Sequence, residues 1–433
     1  MNILSNQKFQ ITAGIVSLVL VNLANNYLAS QSVNKPLIQQ QQVTPNLAFI
    51  QPLNTPQSQT YLTKAPSSNF INQQISDLNI TQKSKNTSVF YSVVDEWKKY
   101  QYSVNGNHVL KAVNLPTTKV NFNQTDLLTV LTNTRKYFQD YAQKDPDISR
   151  NGLLLSQGVT LEDILKTLDF MITVLQEDIS NNRVTRLQDP NFINANFRVI
   201  KWSAYNPEKP KQTKLRITKY AVFTHPGSRS KTSNYNVPIY SLKENLPNNN
   251  FYMKYTKQDV LSGIYEPGGK EFGKVEPLAY LTREGLEEAL MQGTILINFT
   301  DGSKAFFNVD RNNGISYIKG LKPTAQKRYW YFRKVDEIKG YGHKIDAKIS
   351  IKPGVTFAGD VLNMGLGRVI IMEYNQAGRK RLQMGVIADT GGAFLPNLAQ
   401  LDFLAGIFQN QQEFRQHIQE LPEYATAYIL VKK

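Results

Sequence analysis

Two aspartates near the C-terminal end are the residues best placed to do chemistry. Asp389 and Asp402 both fall in the stretch MGVIADTGGAFLPNLAQLDFLAGIF, from Met384 to Phe408. Two carboxylic groups in one cleft can run acid and base catalysis when their surroundings push the two pKa values apart. Asp389 closes the apolar run 384–388 and is followed by Thr390, Gly391 and Gly392, so a strand is expected to end at the carboxylate, with a turn beyond it. Asp402 lies among Leu401, Phe403 and Leu404 with no basic neighbour. Burial there raises a carboxyl pKa and keeps the group protonated. The residues alone leave two plainer readings open: Asp389 as a turn former, and Asp402 on the exposed face of an edge strand.

Other chemistries are excluded or weak. The chain has no cysteine, which rules out disulfides, thiolate zinc sites and cysteine nucleophiles. Its four histidines, His108, His225, His343 and His417, are not spaced as a metal pair, so neither metal nor cofactor is expected. The segment GIYEPGGKE from Gly263 is not a phosphate loop, because Gly269 stands where the lysine belongs and Glu271 follows Lys270; it reads as a surface turn.

DTGGAF followed by LDFLAGIF resembles the three-aspartate domain of the membrane-bound lytic transglycosylase A family, whose pattern runs DTGGAI, a short loop, then VDIYxGxG. The resemblance implies that Asp402 is the catalytic acid and Asp389 its support, with Gly391 and Gly392 at the groove. This chain has a longer loop between the aspartates, and of the two closing glycines it keeps only Gly406, Phe408 taking the other place. Other family elements follow in order. Gly227-Ser228-Arg229 and Val237-Pro238-Ile239-Tyr240 match GSR and YPLY. Thr218 fits the leading threonine of TGYYEP and is implied to line the groove, while Val222 replaces that element's glutamate. Gln292-Gly293-Thr294 resembles QGSG, and Asn313-Gly314-Ile315-Ser316-Tyr317 resembles NGxxY. In the family these line the sugar cleft, so Gln292, Gly293, Thr294, Asn313, Gly314 and Tyr317 are implied substrate contacts; a plain hairpin accounts for the same residues. Counting back from Gly354 in a VDPxVIPxGT-like element puts Ala347 where the first of the three aspartates belongs, with Asp346 one residue away.

The implied activity is metal-free lytic cleavage of the β-1,4 bond between N-acetylmuramic acid and N-acetylglucosamine, leaving a 1,6-anhydromuramoyl end. The alternative is a non-catalytic wall protein that binds peptidoglycan or another polysaccharide. The implied fold is mainly β: a double-psi β-barrel from 186–240 and 321–433, with a smaller β domain, 241–320, inserted and a helical region, 87–185, in front.

Local patterns supply the elements that must position these residues. Thr160 with Glu162 and Asp163 introduces a helix over Leu161–Gln176, with Leu161, Ile164, Leu165, Leu168 and Met171 on one face. Thr125 and Asp126 are expected to cap a second helix, Leu127–Tyr141. Leu215, Ile217, Ala221 and Phe223 alternate as a strand ending in a turn at Pro226-Gly227. Ile295, Ile297 and Phe299 lead through Thr300–Ser303 to a returning strand, Ala305–Val309. Residues 1–30 have the layout of a signal peptide or signal anchor, and 31–86, rich in Gln, Asn, Ser and Pro, reads as a disordered linker. A net charge of +16 calls for an anionic partner. Tyr329-Trp330-Tyr331 between cations suits stacking on bases or on sugars, but the export signal argues against nucleic acid. The expected setting is extracytoplasmic, with glycan strands as partner, the membrane surface near the N-terminus, and a monomeric state.

Overall fold

Thr160 and Asp163 form a reciprocal capping box at the start of the helix Leu161–Ser180, which buries Ile164, Leu168 and Met171 of the expected face, and Leu175 beyond it, while Leu161 and Leu165 are half-buried. The helix Gln124–Tyr141 starts earlier than expected: Asn123 accepts from Asp126 N at 3.0 Å, so Thr125 and Asp126 lie inside the first turn. The computed structural model describes residues 90–95, 100–244, 250–391, 394 and 396–433. The expected export segment 1–30, the linker 31–86 and Gly392 lie outside the described residues. Among the described residues no helix is long and apolar enough to cross a membrane.

The region 87–185, expected to be helical, also carries strands: β1 (Phe90–Asp95), β2 (Tyr100–Asn105), β3 (Leu110–Val113) and β4 (Val120–Asn121). β1 and β2 pair with each other. β3 pairs with β5 (Phe197–Trp202), and the two helices bury their apolar faces in the same core as the main sheet.

The next strands are β6 (Leu215–Gly227), β7 (Val237–Leu242), β8 (Val275–Leu281), β9 (Thr294–Phe299), β10 (Lys304–Asn312) and β11 (Trp330–Val335). After them come β12 (Thr356–Ala358), β13 (Val369–Gln376), β14 (Arg379–Asp389), β15 (Gln400–Phe408) and β16 (Tyr424–Lys432). Pairing runs β6-β15-β12-β14-β13-β16, and β16 returns to β6, so six strands close into a ring without a free edge. The ring is mixed: β6–β15 and β12–β14 are parallel, the other contacts antiparallel. Ile217, Phe357, Val386, Leu401 and Ile429 belong to its core. Asp402 therefore sits on a central strand, not an edge. β15 bulges between Leu404 and Gly406, where a Cβ on Gly406 would lie 2.8 Å from the Phe408 ring. Gly406 thus leaves room for the Phe408 ring.

β6 is long enough to serve two layers. Its second half pairs in parallel with β9, followed by β10 and β11. Pro226 and Gly227 are part of this strand rather than a turn; a Cβ on Gly227 would come within 2.8 Å of Ile297, so this glycine permits close packing. A second core gathers Ile239, Tyr240, Leu281, Ile297, Phe307, Tyr329, Tyr331 and Phe332. The expected boundaries at 240 and 321 cut through it, because aromatic residues on both sides of the 241–320 segment pack together. Tyr329 and Tyr331 are fully buried, and Tyr331 shares a 2.6 Å hydrogen bond with Tyr265, so neither offers a face for stacking bases.

Candidate active site

Strand register brings the two aspartates together. Asp402 on β15 pairs with Thr218 on β6 and with Ala358 on β12, and Ala358 pairs with Asp389 at the end of β14. Side chains paired across strands share a face, so Thr218, Asp402, Ala358 and Asp389 make one row over four strands. Two strand spacings set the aspartate Cα atoms about 10 Å apart. Only the methyl group of Ala358 stands between them in that row.

The two carboxyls differ in their surroundings. Asp389 Oδ2 accepts from Tyr220 Oη at 2.8 Å, and Oδ1 from Thr390 N at 2.8 Å. Burial pushes its pKa up to about 6, against the pull of Tyr220, Thr390 and Lys348. Asp402 Oδ1 is buried with no hydrogen-bond partner. The hydroxyl of Thr218 beside this carboxyl donates to Leu401 O at 3.2 Å and accepts from Gln400 Nε2 at 3.0 Å. Burial, reinforced by the negative charge of Asp389, raises Asp402 to about 7, with Thr218, Lys219 and Arg216 acting the other way. Between those two values the first group is mostly ionised and the second mostly protonated, a division of labour suited to a single acid with an anionic neighbour.

Three further residues hold this pair, and the sequence reading missed them. Tyr220 follows Thr218 in the same eroded element and reaches Asp389. Lys348 binds Asn308 Oδ1 and, at 3.2 Å, Val309 O, tying β10 to the segment before β12 while its charge faces Asp389. Burial lowers its own pKa, which Asp389 and Asp310 partly offset. Buried Asp360, just after β12, accepts from Asn363 N at 3.0 Å and from Asn397 N at 2.9 Å, so it pins the loop between the two aspartates. Desolvation raises Asp360 to about 6. Only Tyr220 carried a signal, as the tyrosine of a recognisable element.

Most polar atoms of the residues matched to the sugar-cleft elements are engaged within the protein. Gln292 accepts from Phe223 N at 2.9 Å and meets His225 Nε2 at 3.0 Å. Thr294 accepts from Asn308 Nδ2 at 2.7 Å and Lys339 N at 3.3 Å. Asn313 accepts from Tyr329 N at 3.0 Å and donates to Tyr255 O and Lys327 O at 2.8 and 3.0 Å. Thr294 and Asn313 tie together strands and loops around the second core, and Gln292 ties its turn to β6. Gly293 and Gly314 are exposed, and Gly314 adopts φ 71°. Tyr317 is half-buried under Arg328, which also stacks on Trp330 at 4.3 Å. Gly391 is half-buried, and its carbonyl accepts from Phe394 N at 2.9 Å, closing the turn after Asp389. Asp346 is exposed and paired with Arg333 at 3.3 Å, and buried Ala347 adds no carboxylate. Among the described residues no group of His, Asp and Glu is arranged to hold a metal ion.

No family model and no curated protein matches this chain. Among solved structures, the membrane-bound lytic murein transglycosylase from Agrobacterium tumefaciens matches with a TM-score of 0.50 at 15% identity, over 75% of this chain and 98% of that one. The chain has the fold of a lytic murein transglycosylase. MltA of E. coli, crystallised with bound chitohexaose, aligns at TM-score 0.48 and 15% identity over 75% of this chain and 95% of its own. MltA from Neisseria gonorrhoeae aligns at 0.47 and 13% identity, over 74% and 96%. At such identities the likeness carries the transglycosylase fold, and the chemistry must be argued from the aspartate row.

Proposed function

We propose that the chain is a peptidoglycan lytic transglycosylase, with Asp402 as its catalytic acid. The observation that carries this reading is the buried, unpartnered Oδ1 of Asp402 in one row with Asp389. A carboxyl held near pKa 7 whose buried Oδ1 has no hydrogen-bond partner keeps a proton for an incoming oxygen. The cleavage scheme balances without water. Asp402 gives its proton to the glycosidic oxygen as the bond from muramic acid C1 breaks; the sugar's own 6-hydroxyl closes on C1, and its proton returns to Asp402. Asp389, kept mostly anionic at neutral pH by Tyr220, Thr390 and Lys348, holds the acid's pKa up. We further read the six-stranded ring as a double-psi barrel, and β7–β11 as an inserted domain forming the far wall of the glycan groove. Gln292, Thr294 and Asn313 then shape that wall rather than contact sugar, leaving Thr218, Gly293, Gly314, Tyr317 and Gly391 as candidate contacts. An extracytoplasmic setting belongs to the same proposal.

One observation favours the alternative of a non-catalytic glycan binder: Ala347 and Val222 stand where two family carboxylates belong. Turnover separates the two. Asp402→Asn should release soluble fragments from sacculi about 10² to 10⁴ times more slowly than wild type, or worse, with binding retained. Asp389→Asn should lose less and shift the pH profile. Wild-type release rates in folded Asp402→Asn, or no release by the wild type, would defeat the enzymatic reading.

A further inference from the structure

We propose that Arg216 recognises a carboxylate on the glycan, so that the groove selects an anionic strand over a neutral one. This rests on the glycan reading of the aspartate row. Arg216 lies two residues before Thr218 on β6, which puts its side chain on the same face, about 7 Å along the strand. In register it pairs with Gln400 on β15 and Tyr424 on β16, at the end of the ring where those two strands flank β6. The side chain is half-buried, yet among the described residues it has neither an ion-pair partner nor a side-chain hydrogen bond. Comparable half-buried arginines elsewhere are tied down: Arg135 to Asp169 at 2.7 Å, Arg333 to Asp310 at 3.2 Å. The acids near Arg216 do not take that place. Exposed Glu423 faces Lys219, and Asp402 is the group meant to carry a proton.

A guanidinium left with free N–H groups at the end of a groove presents a planar fork that matches a carboxylate in two parallel hydrogen bonds. The adjoining loop adds longer-range attraction. Lys209, Lys211 and Lys214 are exposed there, against Glu208, and Gln212 holds the loop to Ala399 O at 3.1 Å, next to Gln400. The carboxylate has two sources in such a polymer: the lactyl group of muramic acid and the stem peptide. Neither is present in a neutral chito-oligosaccharide.

The test is equilibrium binding of the full chain to five soluble glycans: strands with stem peptides, strands stripped of peptide so that the lactyl carboxylates are free, each of these two with its carboxylates capped as methylamides, and a chitin hexamer. Wild type should bind at least one anionic strand about tenfold to a hundredfold tighter than its capped form, and whichever strand shows the preference names the source. Arg216→Met should bring that ratio close to one with affinity for the chitin hexamer unchanged, while Arg216→Lys keeps part of it. Thermal melts check that both variants are folded. A folded Arg216→Met that keeps the wild-type ratio overturns the proposal and moves the preference to the loop lysines. A wild type that binds all five glycans alike overturns the carboxylate role and spares the groove, whereas one that binds none overturns both.

Discussion

Replacing Asp402 by asparagine should make the protein more stable at neutral pH while disabling it. The folded structure raises this carboxyl from 3.8 to about 7, chiefly by burial. A raised carboxyl pKa means that the folded state holds the proton more tightly than the unfolded chain does. Its favourable contribution is complete below about pH 4 and is lost as pH climbs through about 7. Roughly three pKa units at about 1.36 kcal/mol each set a ceiling of about 4 kcal/mol on that loss. The half-buried side chain admits some solvent, and a buried amide has its own desolvation cost, so about 1–3 kcal/mol is the expected advantage of Asp402→Asn at pH 8. Urea melts of both proteins at intervals from about pH 4 to about 8 would read it. The stability difference should grow in favour of the variant and level off above about 7. Asp389 and Asp360, both raised to about 6, add slopes of the same sign to each protein and largely cancel. A difference that stays flat with pH would refute the burial argument for Asp402.

Three other outcomes follow from the same geometry. Tyr220→Phe removes the hydroxyl on Asp389 Oδ2 and should raise that group's pKa by about one to two units, displacing the acidic limb of the pH–rate profile upward; a profile superimposable on wild type contradicts the contact. Lys348→Met cuts the link to Asn308 and Val309, and should cost about 1–3 kcal/mol in urea melts while moving the same limb upward; unchanged stability and profile would show that the lysine neither braces nor tunes the site. Retention on sacculi should fall as salt rises, because a chain of net charge +16 meets peptide carboxylates through a field screened over about 10 Å at about 0.1 M; retention indifferent to salt would assign binding to ring stacking.

The sequence carried local chemistry well and tertiary partnership poorly. The capping box at Thr160, the hairpin from Ile295 to Val309 and the strand ending at Asp389 each rest on neighbours in sequence, and each was legible. The apolar neighbours of Asp402 were legible too, but whether its strand was central or an edge was not. Lys348, Asp360 and Arg216 gained their meaning from strands far away in the chain, and no local pattern marks them. Gln292, Thr294 and Asn313 show the converse. Residues matched to polar cleft elements can be read from sequence as groove contacts, but only the fold reveals that backbone groups at Phe223, Lys339 and Tyr329 have claimed their side chains. Pro226-Gly227 misled because a proline and glycine signal a turn, whereas here the strand continues and the glycine serves close packing.

The most direct test of the one-acid scheme is the chemistry of the product end. Sacculi digested by the full chain in ¹⁸O-labelled water should yield fragments ending in 1,6-anhydromuramic acid without solvent label when analysed by mass spectrometry. Labelled reducing muramic acid as the main product would contradict it, showing that water rather than the sugar's own hydroxyl attacks the bond.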